Sequence, residues 1–223
     1  MNVIQFEPAT VSENAYRQIR TDILFGRLSP GAKLKLEGLK DSYSTSVSTL
    51  REILNRLSSE GLVLAEGQRG FQVAAVSAKD LKEIAAMRLL LENHAMALSF
   101  AAGDIDWEGR VVAAHHKLAQ MEKHLIAGER EKTEAWKRYD FEFHHALVSA
   151  CGSAALLETH AGFYDRYLRY QMVALVFRGK IAADEHEEML KAALARDAAT
   201  AQSILERHIN GCVEYTLQTG QIG

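Results

Sequence analysis

From Ser46 to Phe71 the chain reads S-V-S-T-L-R-E-I-L-N-R-L-S-S-E-G-L-V-L-A-E-G-Q-R-G-F, a helical pattern followed at once by a hairpin pattern. Ser46 or Ser48 can cap the helix, Glu52 lies in its early turns, and Leu50, Ile53, Leu54 and Leu57 recur at helical spacing. Arg51, Asn55 and Arg56 fall off that apolar stripe. Gly61 stands where a C′ residue must take the left-handed turn. Two short β-type runs follow, Leu62–Ala65 and Phe71–Val76, joined by the glycine-rich, basic Glu66-Gly67-Gln68-Arg69-Gly70. With two further helical segments upstream, this order predicts a winged helix-turn-helix. Such a unit lays one helix in the DNA major groove while the wing touches the backbone or minor groove.

Working outward, Met1–Val11 has no strong period and is predicted to be a loose arm. Ser12 with Glu13 caps a first helix to about Phe25, with Ala15, Ile19, Ile23 and Leu24 inward. Gly26–Lys33 reads as a connector holding the turn dipeptide Pro30-Gly31, and Leu36–Tyr43 as a short second helix. The DNA-binding unit is thus expected over residues 12–76. From Ala78 onward only helical patterns occur, broken near Gly103–Asp106, Gly128, Gly152–Ser153, Gly179–Ala183 and Arg196–Asp197. That predicts about six helices over residues 77–223, an antiparallel all-α bundle. The fold class is therefore mainly α.

Composition limits the alternatives. At 223 residues and 48% hydrophobic, the chain can bury one large core or two small ones. Cys151 and Cys212 cannot build a disulfide framework and read as small buried hydrophobes. No apolar run reaches membrane-spanning length and no signal-peptide order opens the sequence, so a cytoplasmic protein without membrane contact is expected. The net charge of −3 does not by itself advertise nucleic acid. Residues 1–75 carry 9 Lys+Arg against 8 Asp+Glu, whereas the remainder carries 17 against 21, a sign asymmetry that suits a DNA-binding head on an acidic body.

Nine histidines are many for this length, so their faces matter. On the helix around Thr133–Ala150, Trp136, Phe143 and Leu147 define the apolar face. By the helical period Asp140 lies about 40° and His144 about 80° from Trp136. His186 sits among Met189, Leu190 and Ala193, and His208 among Ala201, Ile204, Leu205 and Cys212. Three inward histidines and an inward carboxylate on three helices are costly to bury without a shared partner. A divalent transition metal would be one, bound by a carboxylate oxygen and three imidazole nitrogens with positions open to a ligand. Satisfied core histidines remain the alternative for each residue taken singly.

Several linked motifs carry a family resemblance. L-x-P-G-x-x-L at Leu28–Leu34, L-R-E-x-L-x-R-L at Leu50–Leu57, E-G-L-V at Glu60–Val63 and R-G-F-x-V at Arg69–Val73 resemble the DNA-binding domain of the GntR family of bacterial transcription regulators. D-x-x-F-H at Asp140–His144, the E-H at Glu185-His186 and His208 resemble the metal-binding signature of the FCD effector domain. That all-helical domain follows the winged helix in the FadR-like subgroup, and R-x-x-L-E at Arg88–Glu92 is similar to the subgroup's pattern. The resemblance implies Asp140, His144, His186 and His208 as ligands to a divalent ion, zinc first, with nickel, manganese or iron as alternatives. It implies a small organic acid as effector; the candidate contacts are Arg88, Glu92 and, as an extra pocket residue, His160, and an arginine such as Arg88 can pair with a carboxylate bidentately. An intrahelical pair with Glu92 is the equal alternative for Arg88.

One departure bears on the operator. Where relatives usually carry S-R-T-P-V-R-E, this chain has S-V-S-T-L-R-E, so Val47 replaces an arginine. Arginine's bidentate contact to guanine is commonly worth about 1–3 kcal/mol of discrimination, and valine offers only apolar contact. Ser46, Val47, Ser48, Thr49, Arg51, Arg69 and Gly70 are the candidate DNA contacts, with Lys33, Lys35 and Lys40 as phosphate candidates against a plain solvated surface. No nucleophile–base pairing, phosphate loop or dinucleotide fingerprint appears, so no enzyme is expected. The expected function is a homodimeric transcription regulator, a repressor, on a palindromic duplex operator, controlled by a carboxylate metabolite at the metal. The alternatives are a metal-dependent enzyme using the same four residues, with Glu92 or Glu185 as base, and the same regulator with a metal-free pocket.

Overall fold

The computed structural model describes residues 10–174 and 176–222, and the chain divides into two compact units, Met1–Val76 and Ser77–Gly223. In the first, α1 (Val11–Leu24), α2 (Leu36–Ser42) and α3 (Val47–Ser59) pack with three short strands, β1 (Lys33–Leu34), β2 (Val63–Ala65) and β3 (Phe71–Val73). Most of the arm expected over residues 1–11 lies outside the described residues. Val11, however, is already helical, and the cap is Thr10 rather than Ser12, because Thr10 Oγ1 accepts from Glu13 N at 3.1 Å. The antiparallel sheet runs β1-β3-β2, so the wing has a third strand where the sequence suggested only a connector. Lys33 pairs with Gln72 and Leu34 with Phe71.

Helix α3 forms as its pattern requires. Ser46 Oγ accepts from Thr49 N at 3.1 Å, and Leu50, Ile53, Leu54 and Leu57 are buried. At the far end Gly61 adopts φ +74° and Leu62 N returns to Leu57 O at 3.0 Å, a helix stop that glycine enters without a Cβ clash. Glu60 ties the helix to α1, receiving Tyr16 Oη at 2.5 Å and Arg20 Nε at 2.9 Å. These links fix α3 by its C-terminal end and leave its first turns to solvent.

The second unit contains six helices among the described residues: α4 (Ala78–Ala102), α5 (Ile105–Ile126), α6 (Thr133–Val148), α7 (Ala154–Val173), α8 (Lys180–Leu194) and α9 (Ala198–Gln218). Helix α4 packs on α6, α7 and α9, while α5 packs on α6 and α8. The turn between α4 and α5 is set by Trp107, which is fully buried and donates Nε1 to Ala146 O at 2.9 Å. A Cβ on Gly103 would stand 2.5 Å from the indole, with Arg196 behind it 4.5 Å from the ring centroid. Gly103→Ala is therefore expected to cost about 1–3 kcal/mol through overpacking, measurable by urea denaturation. An unchanged midpoint would mean that the indole can move aside. No helix among the described residues is long and apolar enough to cross a membrane.

Candidate metal centre and DNA-facing elements

Asp140 and His144 stand one turn apart on α6, His186 on α8 and His208 on α9, and all four are buried. One ligand-capable atom from each lies within 4.8 Å of the others. Two donors about 2.1 Å from one ion span at most about 4.2 Å, so the cluster is within roughly half an ångström of closing on a metal. The three imidazole centroids are 4.7–5.6 Å apart.

What surrounds the imidazoles is as telling as their spacing. Each Nδ1 faces a carboxylate from another position in the bundle. Glu92 of α4 holds His144, Glu122 of α5 holds His186 at 2.6 Å, and Glu185 of α8 holds His208 at 2.8 Å. A carboxylate accepting at Nδ1 fixes the proton there and turns the Nε2 lone pair toward the cluster. Nε2 of His144 and of His186 are both buried without a hydrogen-bond partner, and the nearest anion to the latter is Asp140 Oδ1 at 3.4 Å. Orphaned buried nitrogens aimed at a carboxylate are what a metal would satisfy. The donor set fits a borderline divalent ion such as zinc.

Electrostatics keep these ligands in binding form. Burial lowers the pKa of His144 and brings that of His208 down to about 3, so both are neutral at physiological pH. Burial pushes the Asp140 carboxyl up, but Lys137 and the neighbouring imidazoles more than reverse it and hold it well below the usual carboxylate range. Burial likewise opposes ionisation of Glu185, yet hydrogen bonds from His208 and Arg178 bring it down to about 2. Glu92 is also kept ionised against its burial, chiefly by Arg88 and His144.

The three candidate effector contacts lie together beside this cluster. Arg88 Nε donates to Glu92 Oε2 at 3.0 Å, and its guanidinium stacks over Tyr164 and Tyr167 at 4.4 and 4.9 Å. His160 Nε2 meets Glu92 Oε2 at 3.2 Å. Both oxygens of Glu92 are thus engaged, and it positions His144, Arg88 and His160. The bare groups are Arg88 Nη2 and His160 Nδ1. Four neighbours were not among the expected site residues: Glu122, Lys137, Arg178 and Tyr164, whose spacing of three from Tyr167 reads as core or dimer packing. Tyr164 Oη donates to Asp140 Oδ2 at 2.5 Å, and Arg178 Nη2 to Glu185 Oε2 at 2.5 Å.

In the other unit the cations divide into two groups. Arg17, Arg20, Arg27 and Arg56 are held in ion pairs with Glu13, Asp22 or Glu60. Lys33, Lys35, Lys40, Arg51 and Arg69 are exposed, and no ion pair among the described residues engages them. Ser46 and Ser48 are exposed at the start of α3, with Val47 and Thr49 half-buried beside them. At the wing tip Gly70 takes φ +91° and accepts from Glu66 N at 2.9 Å, which presents Arg69 at the turn.

A winged helix with uncommitted basic side chains, in one chain with a helical domain holding a buried polar cluster, defines a DNA-binding transcription regulator with an effector-binding domain. Residues 11–73 match the family model described as bacterial regulatory proteins, gntR family, and residues 83–211 match the FCD domain. The chain belongs to the GntR family, with an FCD domain behind its winged helix. It is 35% identical over 211 residues (93% of this chain, 86% of the relative) to the uncharacterized HTH-type transcriptional regulator BphR of Paraburkholderia xenovorans (strain LB400). It is 31% identical over 204 residues, 89% and 92% of the two chains, to the HTH-type transcriptional repressor GlaR of Escherichia coli (strain K12). The fold matches E. coli McbR/YncC with a TM-score of 0.77 at 20% identity, over 95% of this chain and 99% of that one. A putative transcriptional regulator GntR from Rhodococcus sp. RHA1 follows at 0.76 and 22%, over 93% and 97%.

Proposed function

We propose that the protein is a homodimeric cytoplasmic repressor whose grip on a palindromic operator is set by a small carboxylate metabolite bound at a divalent metal. The observation that carries the reading is the pair of bare, buried Nε2 atoms on His144 and His186, each backed at Nδ1 by a carboxylate, in one cluster with Asp140 and His208. Asp140, His144, His186 and His208 would hold the ion, zinc in the first instance. When bound, the ion supplies Lewis-acid positions for a carboxylate oxygen. The chain's own part is to keep His144 and His208 neutral and all three imidazoles aimed, with Arg88 Nη2 free to donate to the same ligand. Repression is supported by the relatives described as repressors.

Control of this kind needs the ligand to favour one arrangement of the DNA-binding units, and a coupling of about 1–3 kcal/mol gives a 5–150-fold change in operator affinity. The test is a mobility-shift titration on the native upstream region with zinc-loaded protein, with and without a panel of organic acids. No retarded band at low salt in the acid-free state would overturn the reading. In the same assay Arg51→Ala is expected to weaken binding by about 1–3 kcal/mol, roughly 5–150-fold, because a base-edge or phosphate partner is lost at no cost to packing. Wild-type affinity in that variant would move the contact elsewhere on α3.

A metal-free pocket is the second reading, favoured by the contacts Asp140 already has from Tyr164 Oη and, at 3.7 Å, Lys137 Nζ. Elemental analysis of protein purified without a nickel column separates the two: bound metal supports the first, none the second.

A further inference from the structure

Lys137 has so far figured only as a neighbour of Asp140, yet it is among the most buried cations of the described residues. Its side chain is 2% exposed, one turn before Asp140 on α6. Nζ donates to Gln171 Oε1 at 2.8 Å and lies 3.8 Å from the Trp136 ring, while Asp140 Oδ2 is 3.7 Å away, beyond hydrogen-bond reach. An ammonium has three N–H groups, and one is spent. Among the described residues Asp140 is the carboxylate paired with it, and Oδ2 of that carboxylate already accepts from Tyr164.

A metal changes this balance. Arg88 is paired with Glu92, and Arg178 with Glu185. Around the cluster the remaining buried charges are Lys137 against Asp140 and Glu122; Arg169 is buried too, but the charges acting on it are those of Asp80 and Arg166. An ion of charge two held by Asp140 converts a local excess of one negative charge into one of one positive charge. The cation left without a counter-charge is Lys137, and an unpaired buried cation is strongly disfavoured unless an anion joins it.

We infer that Lys137 is an anion-binding residue of the ligand pocket, taking the carboxylate of a small organic acid that also reaches the ion. The acid must carry at least one negative charge, and its neutral amide must fail. This rests on the metal-and-effector reading above and adds a residue that the sequence pattern did not mark.

The test is thermal denaturation of the zinc-loaded full chain titrated with acetate, lactate and succinate, with acetamide as the neutral control and zinc content measured on each sample. Wild type is expected to gain stability from at least one acid and none from acetamide. Lys137→Met is expected to keep its zinc while its acid midpoint rises at least about tenfold, the scale of one charge-assisted hydrogen bond. Gln171→Glu sets an internal carboxylate against the ammonium without removing it, and should raise the midpoint in the same direction even if the methionine variant folds poorly. Wild-type midpoints in Lys137→Met or in Gln171→Glu would overturn the assignment while leaving the effector reading intact. A zinc-loaded wild type that responds to none of the acids would overturn both.

Discussion

His186→Ala is expected to lower zinc affinity by more than about 100-fold. His186 contributes one of the two bare, buried Nε2 atoms, and its Nδ1 is bound by Glu122 at 2.6 Å. Loss of an outer carboxylate alone commonly costs 10–100-fold in metal affinity, so loss of a ligand must cost more. Glu122→Gln, which keeps shape and removes charge, should fall inside that smaller range. Competition against a chromophoric chelator gives both numbers. At a zinc concentration 100 times the dissociation constant the wild type gains about 2.7 kcal/mol from the ion. For a unit of this size that is roughly 5–10 °C in Tm, lost on chelation. A His186→Ala protein that holds zinc as tightly as wild type would remove the centre from this cluster.

Leu54→Ala is expected to cost about 2–5 kcal/mol in the winged-helix unit, a large share of the 5–15 kcal/mol typical of a whole domain. Leu54 is fully buried on α3 between Leu50 and Leu57. Operator binding should be lost near 37 °C although no DNA-facing atom has changed, while zinc uptake by the helical unit persists. Arg51→Ala should do the reverse, weakening operator binding with no change in Tm. Denaturation followed by tryptophan-independent circular dichroism, beside the mobility shift, distinguishes them. Equal loss of operator binding and of zinc in Leu54→Ala would mean the two units do not fold independently.

Much of this was legible in the sequence where period and identity agreed. Leu50, Ile53, Leu54 and Leu57 announce α3 because apolar residues at that spacing have one face to hide, and Gly61 marks its end. Asp140, His144, His186 and His208 were readable as inward because apolar neighbours flank them. β1 was not, since two residues are too few to show alternation, and it exists only because β3 offers it an edge. Glu122 and Lys137 were hidden by their charge, which reads as surface. A signal was present: Glu122 lies in register with Leu118 and Leu125 on the buried stripe of α5, and Lys137 follows Trp136 at i−3 from Asp140. Arg178 left no periodic trace, because it lies outside any helix, in the connection before α8.

The backing carboxylates come from elsewhere than the helices whose histidines they hold: α4 serves α6, α5 serves α8, and α8 serves α9. An ion seated there would behave as a rivet through five helices, clamping segments more than a hundred residues apart along the chain. A protease nick in any one of them should weaken the hold on the ion as a whole.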